Sequence, residues 1–146
     1  MNKIAKLSIL FYLALNISNF SIGNENFFNK GLEFYNDKNY EDARFMFERS
    51  IVFNPKDSNS YLYLAKIYNI EENQLKEEKN LEATLLIEPN NEEAILMSMK
   101  IALEKSNYSK VKNLSEKFTK VCKKLCDANK DILKTLENIE PKNNES

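Results

Sequence analysis

The chain has 146 residues, a formal net charge of −1, no histidine, two cysteines and only two glycines. Without histidine the commonest general base and metal ligand at neutral pH is missing, so no catalytic triad or zinc-binding helix can be assembled, and two glycines cannot form a phosphate-cradling loop. So little glycine also excludes a turn-rich β protein, the length suits a single domain, and the near-balanced charge carries no nucleic-acid footprint.

Residues 1–23 read as a secretory signal peptide. Lys3 and Lys6 supply a positive start, Leu7 to Leu15 an apolar core, and Ser21-Ile22-Gly23 places small residues before a cleavage point at Asn24. The core is short for a bilayer span, which leaves an uncleaved anchor as the competing reading. No cysteine lies near the junction, which argues against a lipid anchor. Cleavage would take the formal charge from −1 to −3, because Lys3 and Lys6 leave and no acidic residue precedes Asn24. The expected destination is periplasmic or secreted, with no membrane span in the mature protein.

The pattern that follows is all-α. Helices are expected near residues 25–36, 40–53, 58–70, 75–87, 92–105 and 108–121. Asp57 and Ser58 are placed to cap the third of them, because a short side-chain oxygen can accept from first-turn amides. Abundant asparagine makes helix propensity mediocre, so stability must come from stacked apolar faces. A last amphipathic helix, 126–140, carries Ile132, Leu133, Leu136 and Ile139 on one face. Asp127 is a further candidate cap, and Pro141 ends the helix before a polar tail, 141–146, expected to be disordered.

Two prolines, Pro55 and Pro89, stand 34 residues apart and close two similar stretches. Counted from Asn24, the first has Phe27 at position 4, Gly31 at 8, Phe34 at 11, Ala43 at 20, Phe47 at 24, Ser50 at 27 and Pro55 at 32. Counted from Ser58, the second has Tyr61 at 4, Leu64 at 7, Ala65 at 8, Tyr68 at 11, Leu81 at 24, Thr84 at 27 and Pro89 at 32. A third, degenerate unit from Glu92 has Ile95, Met99, Ala102, Val111 and Phe118 in register, and Ser106-Asn107-Tyr108 repeats the turn Lys38-Asn39-Tyr40. This pattern resembles the tetratricopeptide repeat over residues 24–125, in units 24–57, 58–91 and 92–125. The resemblance implies a short α-solenoid of antiparallel helix pairs, about two and a half to three units long, with the last helix as its C-terminal cap.

Small residues at positions 8 and 20 let paired helices approach closely, and proline at 32 ends the second helix of a unit. Two departures stand out: Glu77 at position 20 of the second unit, and Lys123 where the third unit should have proline.

In tetratricopeptide proteins the first helix of each pair lines a groove through positions 2, 5, 9, 12 and 13. Transferred to this chain, those positions are Glu25, Phe28, Leu32, Tyr35 and Asn36, then Asn59, Leu62, Lys66, Asn69 and Ile70, then Glu93, Leu96, Lys100, Leu103 and Glu104. The expected partner-binding groove is therefore Phe28, Leu32, Tyr35, Leu62, Lys66, Asn69, Leu96 and Lys100. Phe28 and Leu32 stand where the family's carboxylate clamp needs lysine and asparagine, so the clamp is missing. An apolar helix or extended segment would suit this lining, with Lys66 and Lys100 meeting acidic side chains at its edge. The competing reading is that these side chains pack against one another or against the cap.

Cys122 and Cys126 are the one chemically pointed pair. In an exported chain they read as a disulfide, with free thiols and a redox-active dithiol as the other readings. A disulfide at this spacing should bend the chain between the last repeat helix and the cap, and closing so short a loop restricts the unfolded chain by about 2 kcal/mol. Charge is split as well: Glu71 to Glu93 holds eight glutamates, and Lys105 to Lys130 eight lysines. These are solvated helix faces or two contact surfaces for a partner or a second copy.

The function expected from the sequence is binding, with no catalysis, cofactor or metal. The chain reads as an exported adaptor that holds a protein or peptide partner, most naturally an envelope protein, in its groove. A thiol protein using Cys122 and Cys126, and a structural subunit of an envelope assembly, are the other readings.

Overall fold

The computed structural model describes residues 26–139. The expected signal peptide, groove position Glu25 and the polar tail lie outside these residues. Within residues 26–139 seven helices follow in chain order: α1 (Phe27–Asn36), α2 (Tyr40–Phe53), α3 (Ser58–Ile70), α4 (Gln74–Ile87), α5 (Glu92–Glu104), α6 (Tyr108–Val121) and α7 (Cys126–Ile139). No strand occurs among the described residues. Each helix packs on the next, and α7 rests on both α5 and α6. The short connections make successive helices antiparallel, and the result is an all-α solenoid of three helix pairs closed by a capping helix.

A 34-residue period is written into the backbone. Lys38, Glu72 and Ser106 all take positive φ, at 60°, 55° and 55°. After each, an asparagine amide reaches back to the preceding helix: Asn39 to the Phe34 carbonyl, Asn73 to Tyr68 and Asn107 to Ala102. Such a left-handed residue satisfies otherwise orphaned carbonyls at a helix end, a place where glycine is usual. The same three asparagines then cap the next helix, their side-chain oxygens accepting the amides of Asp42, Lys76 and Lys110. Asn26 and Asn91 do the same for α1 and α5. The residue type expected to weaken the helices therefore starts five of them, because at a cap its short side chain supplies the missing acceptor.

The third unit is as complete as the second, with α5 and α6 matching α3 and α4 in length. A surface ion pair also recurs with its charges exchanged: Arg44 meets Glu71, and 34 residues on Glu78 meets Lys105.

The core runs along the stack in three patches. Ala43, Phe47, Leu64, Ile67 and Tyr68 join the first and second pairs. Leu62, Ala65, Leu81, Ala94 and Ile101 join the second and third. Ile95, Met99, Val111 and Phe118 meet Ile132 and Leu136 of α7, which covers the end of the array.

Two local expectations are corrected. Asp57 precedes α3 but caps no amide with its side chain; its carboxylate instead accepts the hydroxyls of Ser50 and Ser60, tying α2 to α3. Asp127 lies inside the first turn of α7, where it binds Lys130 at 2.8 Å.

Candidate functional site

The groove expected on the first helices of the pairs begins with aromatic packing. Gly31 lets α2 approach so closely that the ring of Phe47 fills the space where a side chain would start. Phe28, on the same helix, lies against both Phe47 and Tyr63, with ring centroids 5.7 and 5.8 Å apart. Tyr35 meets Tyr63 edge-on at 5.0 Å and Tyr40 at 5.6 Å. Tyr63 thus bridges α1 and α3 through both aromatic groove residues. It sits at repeat position 6, outside the positions carried over from the family, and only its large aromatic side chain in a helix interior signalled it. Leu32 packs half-buried beside these rings.

From Tyr63 the strip continues to α5. The Lys66 ammonium stands 4.4 Å from the Tyr63 ring centroid and 2.8 Å from the Glu93 carboxylate. A cation over an aromatic face is stabilised by the ring quadrupole, here together with an opposite charge. Burial, then the neighbouring Tyr40, Tyr63 and Glu93, push the Tyr35 hydroxyl up from its ordinary value.

Not all expected groove residues face an open surface. Leu62 and Leu96 are only 5% and 7% exposed: Leu62 lies in the core patch between the second and third pairs, Leu96 in the patch that α7 covers. Both stand at position 5, on the same helix face as positions 9 and 12, and it is the neighbouring helices that cover them. Lys66, expected to meet a partner's acidic group, already has Glu93. Asn69 is exposed and donates to Glu77 at 3.2 Å. Lys100 is exposed on α5. The structure therefore brings Phe28, Tyr35 and Lys66 together around Tyr63, packs Leu32 on the same core patch, and leaves Asn69 and Lys100 exposed.

No protein-family model matches the chain, and no curated protein resembles it closely enough to count as a match.

Glu77, the acceptor of the Asn69 side chain, is on α4. It is 4% exposed, at the position where the other two units have Ala43 and Val111. Burial raises its pKa above the ordinary value, the Asn69 hydrogen bond opposes the shift, and the charges of Glu104 and Glu78 add to it. A separate cleft of about 480 Å³ opens between α2, α3 and α4, lined by Tyr61, Tyr68 and Lys76 among others, and it contains none of the expected groove residues.

Among the described residues no group of three or more carboxylates or cysteines could hold a metal ion. No helix there is long and apolar enough to cross a membrane.

Cys122 and Cys126 are bonded, with Cα atoms 5.4 Å apart. The chain bends between them: α6 ends at Val121, Cys122 is extended, and α7 begins at Cys126. The three amides inside the bend, of Lys123, Lys124 and Leu125, all donate to the Glu92 carboxylate at 2.9 to 3.0 Å. Proline has no N–H, so the Lys123 bond is one that the proline expected there could not make.

Proposed function

We propose that this chain is a tetratricopeptide-type adaptor that acts by binding a protein segment and catalyses nothing. The observation that carries the reading is the continuous strip Phe28, Tyr35, Tyr63, Lys66 and Glu93, which joins α1, α3 and α5, the helices that would line the groove in such repeats. Half-buried aromatic side chains on a rigid scaffold are the usual anchors of recognition, since they offer large contact area at little conformational cost. The fitting partner is an extended or helical segment whose apolar side chains meet Phe28, Leu32 and Tyr35. Its polar edge would carry an acidic group for Lys100, and a basic group for the exposed side of Glu93. Export to the periplasm, argued from residues 1–23, makes an envelope protein the natural source.

The test is capture of crosslinked partners from the envelope fraction with the native protein and with Phe28→Ala and Lys100→Glu variants. Loss of the same partner in both variants, with melting temperature held within a few degrees, supports the groove. An unchanged partner set alongside a strongly lowered melting temperature in Phe28→Ala would show that these rings serve only the fold.

A further inference from the structure

Three unit boundaries occur in the stack, and they are held in two different ways. The first two place proline directly after an extended residue: Asn54 (φ −135°, ψ 85°) precedes Pro55, and Glu88 (φ −125°, ψ 82°) precedes Pro89. Proline cannot donate a backbone hydrogen bond and clashes with the preceding turn, so α2 and α4 cannot continue into α3 and α5. At the third boundary Cys122 is likewise extended (φ −64°, ψ 140°), but Lys123 follows it. Neither proline nor glycine occurs from Lys105 to Ile139, and lysine and leucine, which fill the bend, are good helix formers.

We infer that the Cys122–Cys126 disulfide is a reducible latch that holds α7 on the stack, and that its reduction lets α6 run on into α7 as one helix that leaves α5. The two states compete for the same backbone groups. In the bent state the amides of Lys123, Lys124 and Leu125 are satisfied by Glu92; in a continuous helix they would be satisfied by carbonyls one turn earlier. The docked α7 is not deeply seated. Its buried residues are Ile132, Leu136 and Asn129, and the Asn129 side-chain oxygen has no protein partner. A buried acceptor left unpaired counts against docking. Both cysteines are half-buried, so a small thiol can reach the bond. The step balances with a dithiol reductant: its two sulfurs form a new disulfide, and Cys122 and Cys126 take up the two electrons and two protons as free thiols. Release of α7 uncovers the apolar patch of Ile95, Leu96, Val121 and Phe118 at the end of the array. The latch does not depend on the groove or on what occupies it.

The experiment compares the oxidised protein with the same protein in dithiothreitol, by hydrogen exchange read at peptide level and by small-angle scattering. On reduction, exchange across α7 should speed up at least tenfold while α1 to α4 keep their protection. A continuous α6–α7 helix should also lengthen the particle by roughly 15–20 Å. Lys123→Pro rebuilds the boundary used by the other two units, and in the reduced variant α7 should stay docked. Unchanged α7 protection on reduction overturns the inference. So does loss of protection throughout α1 to α4, which would make the bond a general stabiliser, or a reduced Lys123→Pro variant that still releases α7.

Discussion

A Cβ built on Gly31 would stand 2.6 Å from Cε1 of Phe47, and 2.7 and 3.0 Å from two more atoms of the same ring. Phe47 is fully buried, so the ring has no free direction in which to yield. Gly31→Ala would add about 1 kcal/mol of helix propensity, but overpacking a filled core costs about 1–3 kcal/mol. The variant should therefore be less stable by about 1 kcal/mol in urea denaturation, and Phe47→Leu in the same chain should recover part of the loss. A stabilised Gly31→Ala would mean that α1 and α2 are not held this closely.

The helix starts offer a test of the repeated turn. Asn73→Ala or Asn107→Ala should cost about 1 kcal/mol each, by removing the acceptor for the Lys76 or Lys110 amide. Ser106→Gly should do the opposite, relieving about 1 kcal/mol of left-handed strain at φ 55°. Chemical denaturation of the three single variants checks both signs at once.

Glu77 should make the protein less stable as pH rises. Its pKa is raised in the fold above the ordinary 4.5, so across that interval the folded chain holds a proton that the unfolded chain has lost. The resulting stability is fully present below the ordinary value and disappears as pH climbs through the raised one. Glu77→Gln keeps an acceptor for Asn69 and removes the charge. It should melt higher than the native protein at neutral pH and lose that part of the pH dependence.

Glu92 should act with the opposite sign. The three amide bonds, led by Leu125, hold its pKa below the ordinary 4.5. Its contribution is present above the ordinary value and is lost as pH falls through the lowered one. Glu92→Ala should weaken the α6–α7 junction at neutral pH and show a smaller loss on acidification than the native chain. Melting curves across acid to neutral pH, run beside Glu77→Gln, separate the two carboxylates.

Asn129 occupies position 4 counted from the start of α7, where the repeat units place Phe27, Tyr61 and Ile95. Asn129→Leu removes a buried acceptor without a protein partner and adds apolar contact with the last core patch, at the loss of one bond to Thr119. A net gain of about 1 kcal/mol is expected. It should appear as a higher denaturation midpoint.

Helix ends were legible because they are set by chemistry within a few residues. The bounds of Tyr40–Phe53, Ser58–Ile70 and Tyr108–Val121 coincide with those read from the sequence. The residues of the candidate site were less so. Repeat register picks out Phe28, Leu32 and Tyr35 but not Tyr63, and it puts Leu62 and Leu96 on an open face although both are buried. Register states which way a side chain points from its own helix. How much of it the neighbouring helix then covers depends on side chains many residues away.

From the sequence alone came the helical class, the 34-residue period, the small residues that seat one helix on another and the bend at the cysteines, since each rests on local geometry or on spacing along one chain. Only the tertiary structure decided that Lys66 belongs to Glu93, that Asp57 serves two serines, and that Glu92 holds the turn before α7. Each of those choices joins groups from different helices or from a helix and a turn. Several acceptors lay within reach of each donor until the stack brought one of them close.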